Sequence, residues 1–97
     1  MEETRKVYEN VERVRAVMGV TKKHIADKLG LSLQGYRHIA SGGVALDVER
    51  LKIISEALGV SVDIFFNDRL TDSVIKNMES IGKKRDNKQP NQLQQTG

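Results

Sequence analysis

The chain has 97 residues, enough for one small domain, and its lack of cysteine excludes disulfides and thiolate metal sites. Its formal charge of +3 permits a nucleic-acid partner without requiring one. No apolar run approaches the roughly 20 residues of a transmembrane helix, and the polar N-terminus does not resemble a signal peptide. We therefore expect a cytoplasmic protein with no membrane partner.

Helical periodicity runs along the chain, and strand signals are nearly absent. Apolar residues spaced by three and four predict a first helix from Thr4 to Met18, which Gly19 ends. Thr21 is a plausible N-cap for a second helix, Lys22 to Leu29, because its hydroxyl can accept an unpaired backbone N–H. These features favour an all-α fold.

Three further short helices follow in the middle of the chain. Ser32 caps a predicted third helix from Leu33 to about Ala40, and Asp47 starts a fourth that ends at Gly59. A short fifth helix is expected from Ser61 to Asn67. The expected fold is therefore a compact five-helix domain over residues 1–69.

The character of the sequence changes after Arg69. An apolar stripe predicts one amphipathic helix, roughly Thr71 to Ile81, within a segment spanning residues 70–82. Residues 83–97 are polar and are expected to form a flexible tail. The stripe either folds back on its own domain or pairs with a second copy, and we expect it to support a homodimer. Its residues are Leu70, Val74, Ile75, Met78 and Ile81.

The second and third helices, joined by a turn containing Gly30, form a helix-turn-helix pattern. Ala26 is small enough for close helix packing, and the apolar residues of both helices fall on inward positions. Four residues remain on the outward face of the third helix: Leu33, Gln34, Arg37 and His38. Such a face can enter the major groove, where Gln suits adenine, Arg suits guanine and Leu suits the thymine methyl.

A longer run of residues resembles the Cro and phage-repressor (XRE-type) helix-turn-helix family, across about Arg15 to Phe66. The residues that carry this resemblance are Thr21, Ile25, Ala26, Leu29, Gly30, Leu31, Ser32, Ile39, Ser41, Gly42, Leu51, Ile54, Ala57, Leu58, Gly59, Val60, Ser61, Ile64 and Phe65. The resemblance implies a lambda-repressor-like domain whose third helix reads bases. It also implies phosphate contacts from the start of the second helix and the loop after the third. The predicted phosphate-contacting residues are Lys22, Lys23, Ser32, Ser41 and Gly43.

Two departures from the family pattern affect this interpretation. Gly35 occupies a position that is often Ser or Thr, at a cost of about 1 kcal/mol in helix preference. Ala40 replaces a Glu that commonly pairs with an Arg matching Arg15. Arg15 is therefore expected to meet Glu12, Glu56 or solvent.

The remaining candidate residues do not suggest an enzyme. His24 and His38 lack metal-ligand spacing, no catalytic set appears, and no cofactor or metal is expected. Tyr36 either fills the core with its hydroxyl exposed or contacts a phosphate. The sequence favours a sequence-specific DNA-binding repressor of bacterial or phage origin. The alternative is a module of the same fold that binds another regulatory protein or a recombinase.

Overall fold

The computed structural model describes residues 5–88, with side chains through Ile81. All regular elements of this range are helical, which confirms the all-α prediction. None of the helices in the described range is long and apolar enough to cross a bilayer. The elements in chain order are α1 (Val7–Met18), α2 (Lys22–Leu29), α3 (Leu33–Ala40), α4 (Val48–Leu58), a 3-10 helix (Val62–Phe66) and α5 (Asp68–Lys88).

Local capping residues set three of the helix starts, as the sequence predicts. Thr21, Ser32 and Asp47 lie in extended conformation, and each side chain accepts the backbone N–H three residues further along. These bonds satisfy donors that the first helical turn leaves unpaired. The bounds of α2 and α3 therefore agree with the prediction.

One hydrophobic core holds the helices together. Phe65 from the 3-10 helix is fully buried there, where it joins residues of all four preceding helices. The buried apolar residues are Val11, Val14, Ile25, Ala26, Tyr36, Ile39, Leu51, Ile54, Leu58, Ile64 and Phe65. Since this core draws on every element from α1 to the 3-10 helix, the helix-turn-helix is fixed in orientation by the rest of the domain.

The first helix begins later than the periodicity indicates. Thr4 lies outside the described residues, Arg5 and Lys6 are not helical, and α1 starts at Val7. The Glu9 carboxylate accepts the backbone N–H of Lys6 at 2.8 Å and completes the start of the helix. The predicted start at Thr4 is therefore wrong, because a local capping interaction defines the end.

The C-terminal helix is longer than predicted at both ends. The Asn67 side chain accepts the N–H groups of Arg69 and Leu70, so α5 begins at Asp68 rather than Thr71. The helix continues past Gly82 to Lys88, into the segment that the sequence predicts to be a tail. The remaining part of the predicted tail, 89–97, lies outside the described residues.

Helix α5 packs against α1 and the 3-10 helix. Val74 and Ile75 pack against the core, whereas Leu70 and Ile81 are each 42 % exposed and Met78 is half-buried. Part of the predicted stripe thus folds back on its own domain. Homodimerisation through the remaining apolar residues of the stripe stays a prediction.

Charged and polar side chains fasten α5 to the start of α1, in what we call the N-terminal clasp (Arg5, Asn10, Arg13, Asp68 and Asp72). Buried Asn10 accepts from Arg5 Nε at 2.8 Å and donates to Asp68 Oδ1 at 3.0 Å. A guanidinium nitrogen of Arg5 lies 2.7 Å from Asp72 Oδ1, and one of Arg13 lies 3.2 Å from it. The hydrogen bond from Asn10 and a second one from the backbone N–H of Arg5 to Asp68 Oδ2 (3.0 Å) hold the pKa of Asp68 below its usual range.

Candidate nucleic-acid interface

Helices α2 and α3 form a rigid pair. Gly30 adopts a left-handed conformation (φ 73°) that ends α2, and the N–H of Leu31 donates to the carbonyl of Ala26 at 2.8 Å. Ala26 on α2 and Tyr36 on α3 are fully buried. The inward side of the motif therefore matches the inward positions expected from the sequence.

The outward side of α3 is open. Gln34, Arg37 and His38 are exposed, while Leu33 is half-buried. In the described residues, none of the ion pairs includes Arg37. Three of the four predicted base-reading side chains thus share an accessible surface, with the apolar Leu33 at its edge.

The imidazole of His38 lies against the turn that follows α3. A Cβ placed on Gly43 would lie 3.2 Å from Nδ1 of His38, so only a residue without a side chain leaves this ring undisturbed. The N–H of Gly43 donates to the carbonyl of His38 at 2.8 Å. His38 is therefore positioned by the turn as well as by the helix.

The two lysines at the start of α2 differ in their surroundings. Lys23 forms an exposed ion pair with Asp27, with Nζ and Oδ1 3.0 Å apart. In the described part of the chain, none of the ion pairs includes Lys22, which is half-buried. The Lys22 ammonium is available to a phosphate, whereas the Lys23 ammonium must first break or share its ion pair with Asp27.

The predicted phosphate contacts at the other end of α3 are less available. The backbone N–H groups of Ser41 and Gly43 donate to carbonyls of α3, and the Ser41 hydroxyl donates to the carbonyl of His38 at 3.1 Å. Ser32 differs, because its oxygen accepts the N–H of Gly35 and its own hydroxyl hydrogen is not used in that bond. Of these three predicted residues, Ser32 has the more accessible donor.

A polar network behind α3 explains how the chain manages without a Glu at position 40. Arg15 pairs with Glu12 at 3.0 Å and donates to the carbonyl of Val20 at 2.6 Å. The Tyr36 hydroxyl donates to the same Glu12 carboxylate at 2.6 Å, and burial and that carboxylate raise the pKa of Tyr36. Glu12 is therefore the partner among the expected options. Tyr36 fills the core as expected, but its hydroxyl is buried against Glu12 rather than exposed.

One residue beside this surface has no sequence signal. The ring of Tyr8, in the first turn of α1, covers Gly42 in the turn after α3. The two residues are far apart in the chain, and neither lies in a recognisable motif with the other. Only the folded arrangement brings an α1 side chain to the end of α3.

Comparison with known proteins agrees with this geometry. Residues 11–65 match the profile of a helix-turn-helix family, HTH_3, which covers more than half of the chain. Neither curated proteins nor solved structures give a significant match. The matched range includes α2 and α3 and most of the core, so this chain belongs to the helix-turn-helix (XRE-type) family and is a DNA-binding regulator.

Proposed function

We propose that the chain is a sequence-specific transcriptional repressor of bacterial or phage origin that reads the DNA major groove with α3. One observation carries the proposal: Gln34, Arg37 and His38 are exposed together on a helix whose opposite side is buried. An exposed, rigid helix face with hydrogen-bonding side chains suits a groove about 12 Å wide.

The chemistry of each side chain suggests its role. Arg37 can donate two hydrogen bonds to O6 and N7 of guanine, and Gln34 can bond both N6 and N7 of adenine. Leu33, at the edge of the face, can contact a thymine methyl group. Such contacts distinguish base pairs because each pair presents a different set of donors and acceptors in the major groove.

Phosphate contacts would set the register of α3 in the groove. Lys22 and Lys23 lie at the N-terminus of α2, where unpaired backbone N–H groups and the helix dipole also favour an anion. Ser32 adds a hydroxyl at the start of α3. These contacts carry no sequence information and would act alike on every DNA.

A homodimer extends this proposal, because one short helix contacts few base pairs. Two copies reading half-sites about 34 Å apart would give the specificity that a repressor needs. The exposed Leu70 and Ile81 and the half-buried Met78 of α5 supply an apolar surface for the contact. Analytical ultracentrifugation with and without operator DNA measures this assembly.

Selection of genomic fragments from the source organism tests the function. The purified protein is mixed with fragments at low salt, and bound fragments are separated on a gel and sequenced. A repressor is expected to enrich one site with two-fold symmetry, and a promoter carrying that site should lose activity when the protein is expressed.

The same experiment distinguishes the alternative, in which the fold binds another regulator or a recombinase. In that case no fragment is retarded, even at low salt where non-specific attraction is strongest. The missing Glu at position 40 was one argument for that alternative. The Glu12–Arg15 pair weakens this argument, because Arg15 keeps a carboxylate partner.

A further inference from the structure

The turn after α3 presents a problem for phosphate binding. The N–H groups of Ser41, Gly42 and Gly43 donate to the carbonyls of Arg37, Ile39 and His38, at 3.0, 3.0 and 2.8 Å. The C-terminus of a helix also carries the negative end of its dipole. Any phosphate bound at this end of α3 therefore needs a side-chain donor from elsewhere.

Tyr8 supplies such a donor. A Cβ placed on Gly42 would lie 2.6 Å from Cζ of Tyr8 and 2.9 Å from its hydroxyl oxygen, so the hydroxyl end of the ring reaches the turn. Tyr8 is half-buried, and its hydroxyl makes none of the side-chain hydrogen bonds found among the described residues. A phenol hydroxyl held in this way is ready to donate to a partner outside the chain.

The groove around Tyr8 is lined mainly by apolar side chains, with one lysine among them. The exposed Lys6 lines the same surface groove as Tyr8 and Gly42, and no ion pair of the described residues includes Lys6. Gly42 has φ 85°, which residues with a side chain rarely adopt, and its lack of a Cβ leaves room for the ring. The groove thus has a lysine in its lining and an unused hydroxyl directly beside the end of α3.

We infer that Tyr8, with Lys6 beside it, binds the DNA phosphate that flanks the C-terminal end of α3. This inference rests on the proposed function, since it assigns one contact of the same interface. In this arrangement Tyr8, rather than the donors of Ser41 and Gly43, contacts the phosphate at the C-terminal end of α3. Tyr8 would then fix how far α3 can slide along the groove.

Tyr8→Phe removes the hydroxyl and keeps the ring over Gly42. On the selected operator and on scrambled DNA alike, we expect affinity to fall about 10- to 150-fold, since a hydrogen bond to a charged group is lost. The slope of log affinity against log salt should not change, because no charge is removed. Thermal unfolding should be unchanged, which separates this loss from a folding defect.

A chemical change in the DNA identifies the contact itself. Neutral methylphosphonate is placed at each operator phosphate in turn, and binding is measured for wild type and Tyr8→Phe. At one position it should weaken wild type more than the variant, in which only Lys6 still attracts that phosphate. Equal binding by wild type and Tyr8→Phe, or the same methylphosphonate profile for both, would overturn the inference while leaving the proposed function intact.

Gly42→Ala provides a second variant with a matched control. An alanine at position 42 must displace the Tyr8 ring, whereas Gly59, also left-handed at φ 72°, has nothing within 4 Å. Gly42→Ala should reproduce the loss of Tyr8→Phe, and Gly59→Ala should bind DNA as wild type does when both are folded. Equal affinities of Gly42→Ala and Gly59→Ala for DNA would contradict the role of Tyr8 alone. If the wild-type protein binds no DNA, the proposed function is overturned together with this inference.

Discussion

In the N-terminal clasp, charged side chains meet other charges or backbone groups, whereas the exposed outward face of α3 forms no ion pair within the described residues. Both regions are rich in donors, and both lie on the same small domain. In the clasp, the donors of Arg5 and Asn10 are used to fasten α5 to α1. On α3 the donors remain available, which suits binding to an external partner.

The comparison shows that polar character alone does not identify a binding surface. Arg5 and Arg37 are both arginines, but Arg5 contacts Asn10, Asp68 and Asp72, while Arg37 is exposed and outside the ion pairs described. A change in the clasp should therefore affect stability, and a change on α3 should affect recognition. The predictions below test this division, from the largest expected effect to the smallest.

Removal of the buried amide in the clasp should have the largest effect. Asn10→Ala leaves the buried carbonyl of Phe65 without its donor and breaks the links to Arg5 and Asp68. We expect a loss of about 2–3 kcal/mol in the free energy of unfolding, with Tm lower by about 10–20 °C. Thermal denaturation followed by circular dichroism measures this change.

Asn77→Ala is the matched control, because Asn77 is exposed on α5. Its effect on the free energy of unfolding should stay within about 0.5 kcal/mol. At a temperature where both variants are folded, both should keep the wild-type preference among DNA sequences. A changed base preference in Asn10→Ala would show that the two regions are not independent.

A smaller, sequence-independent effect is expected at the start of α2. Lys22→Ala should weaken binding to all DNA alike. It should also lower the slope of log affinity against log salt by about one unit, because one lysine–phosphate contact and its counterion release are lost. Lys23→Ala should do less, since the Lys23 ammonium lies 3.0 Å from Asp27. Fluorescence anisotropy between 50 and 200 mM salt compares the slopes; a larger effect from Lys23→Ala would reverse this assignment.

The smallest effect should appear as a pH dependence of the clasp. Because the folded state lowers the pKa of Asp68 from 3.8, its contribution is fully present above that pH. It is lost as the pH falls through the lower pKa of the folded state. The Tm difference between wild type and Asp68→Asn should therefore be largest at neutral pH and shrink below about pH 4.

Asn10→Ala serves as the control background for this measurement. The Asn10 amide is the main cause of the lowered pKa of Asp68. When Asp68→Asn is added to Asn10→Ala, its effect on Tm should therefore vary less with pH than it does in wild type. An unchanged pH profile in this background would mean that Asn10 does not stabilise the Asp68 carboxylate.

Local rules predicted much of this fold. The caps Thr21, Ser32 and Asp47 act on residues three positions away, so the sequence contains the whole interaction. The start of α5 was missed because Asn67 looked like the end of the preceding helix, although its side chain caps the next one. The predicted end of α5 was too early because the polar composition of the following residues indicated a tail, whereas α5 continues to Lys88.

Long-range contacts account for what the sequence did not reveal near the site. The outward set on α3 followed from helical periodicity, and three of its four members are exposed. Nothing local indicates that Tyr8 covers Gly42. Such pairings depend on how helices pack, which periodicity alone does not determine.

The central claim is that Arg37 reads a base edge in the major groove. It is tested by measuring wild type and Arg37→Ala on the selected operator with each guanine replaced in turn by 7-deazaguanine, which lacks the N7 acceptor. At one guanine, wild type should lose about 1–3 kcal/mol of binding free energy, while Arg37→Ala, already weaker by a similar amount, should lose little more. Equal losses for both proteins at every guanine would contradict the claim.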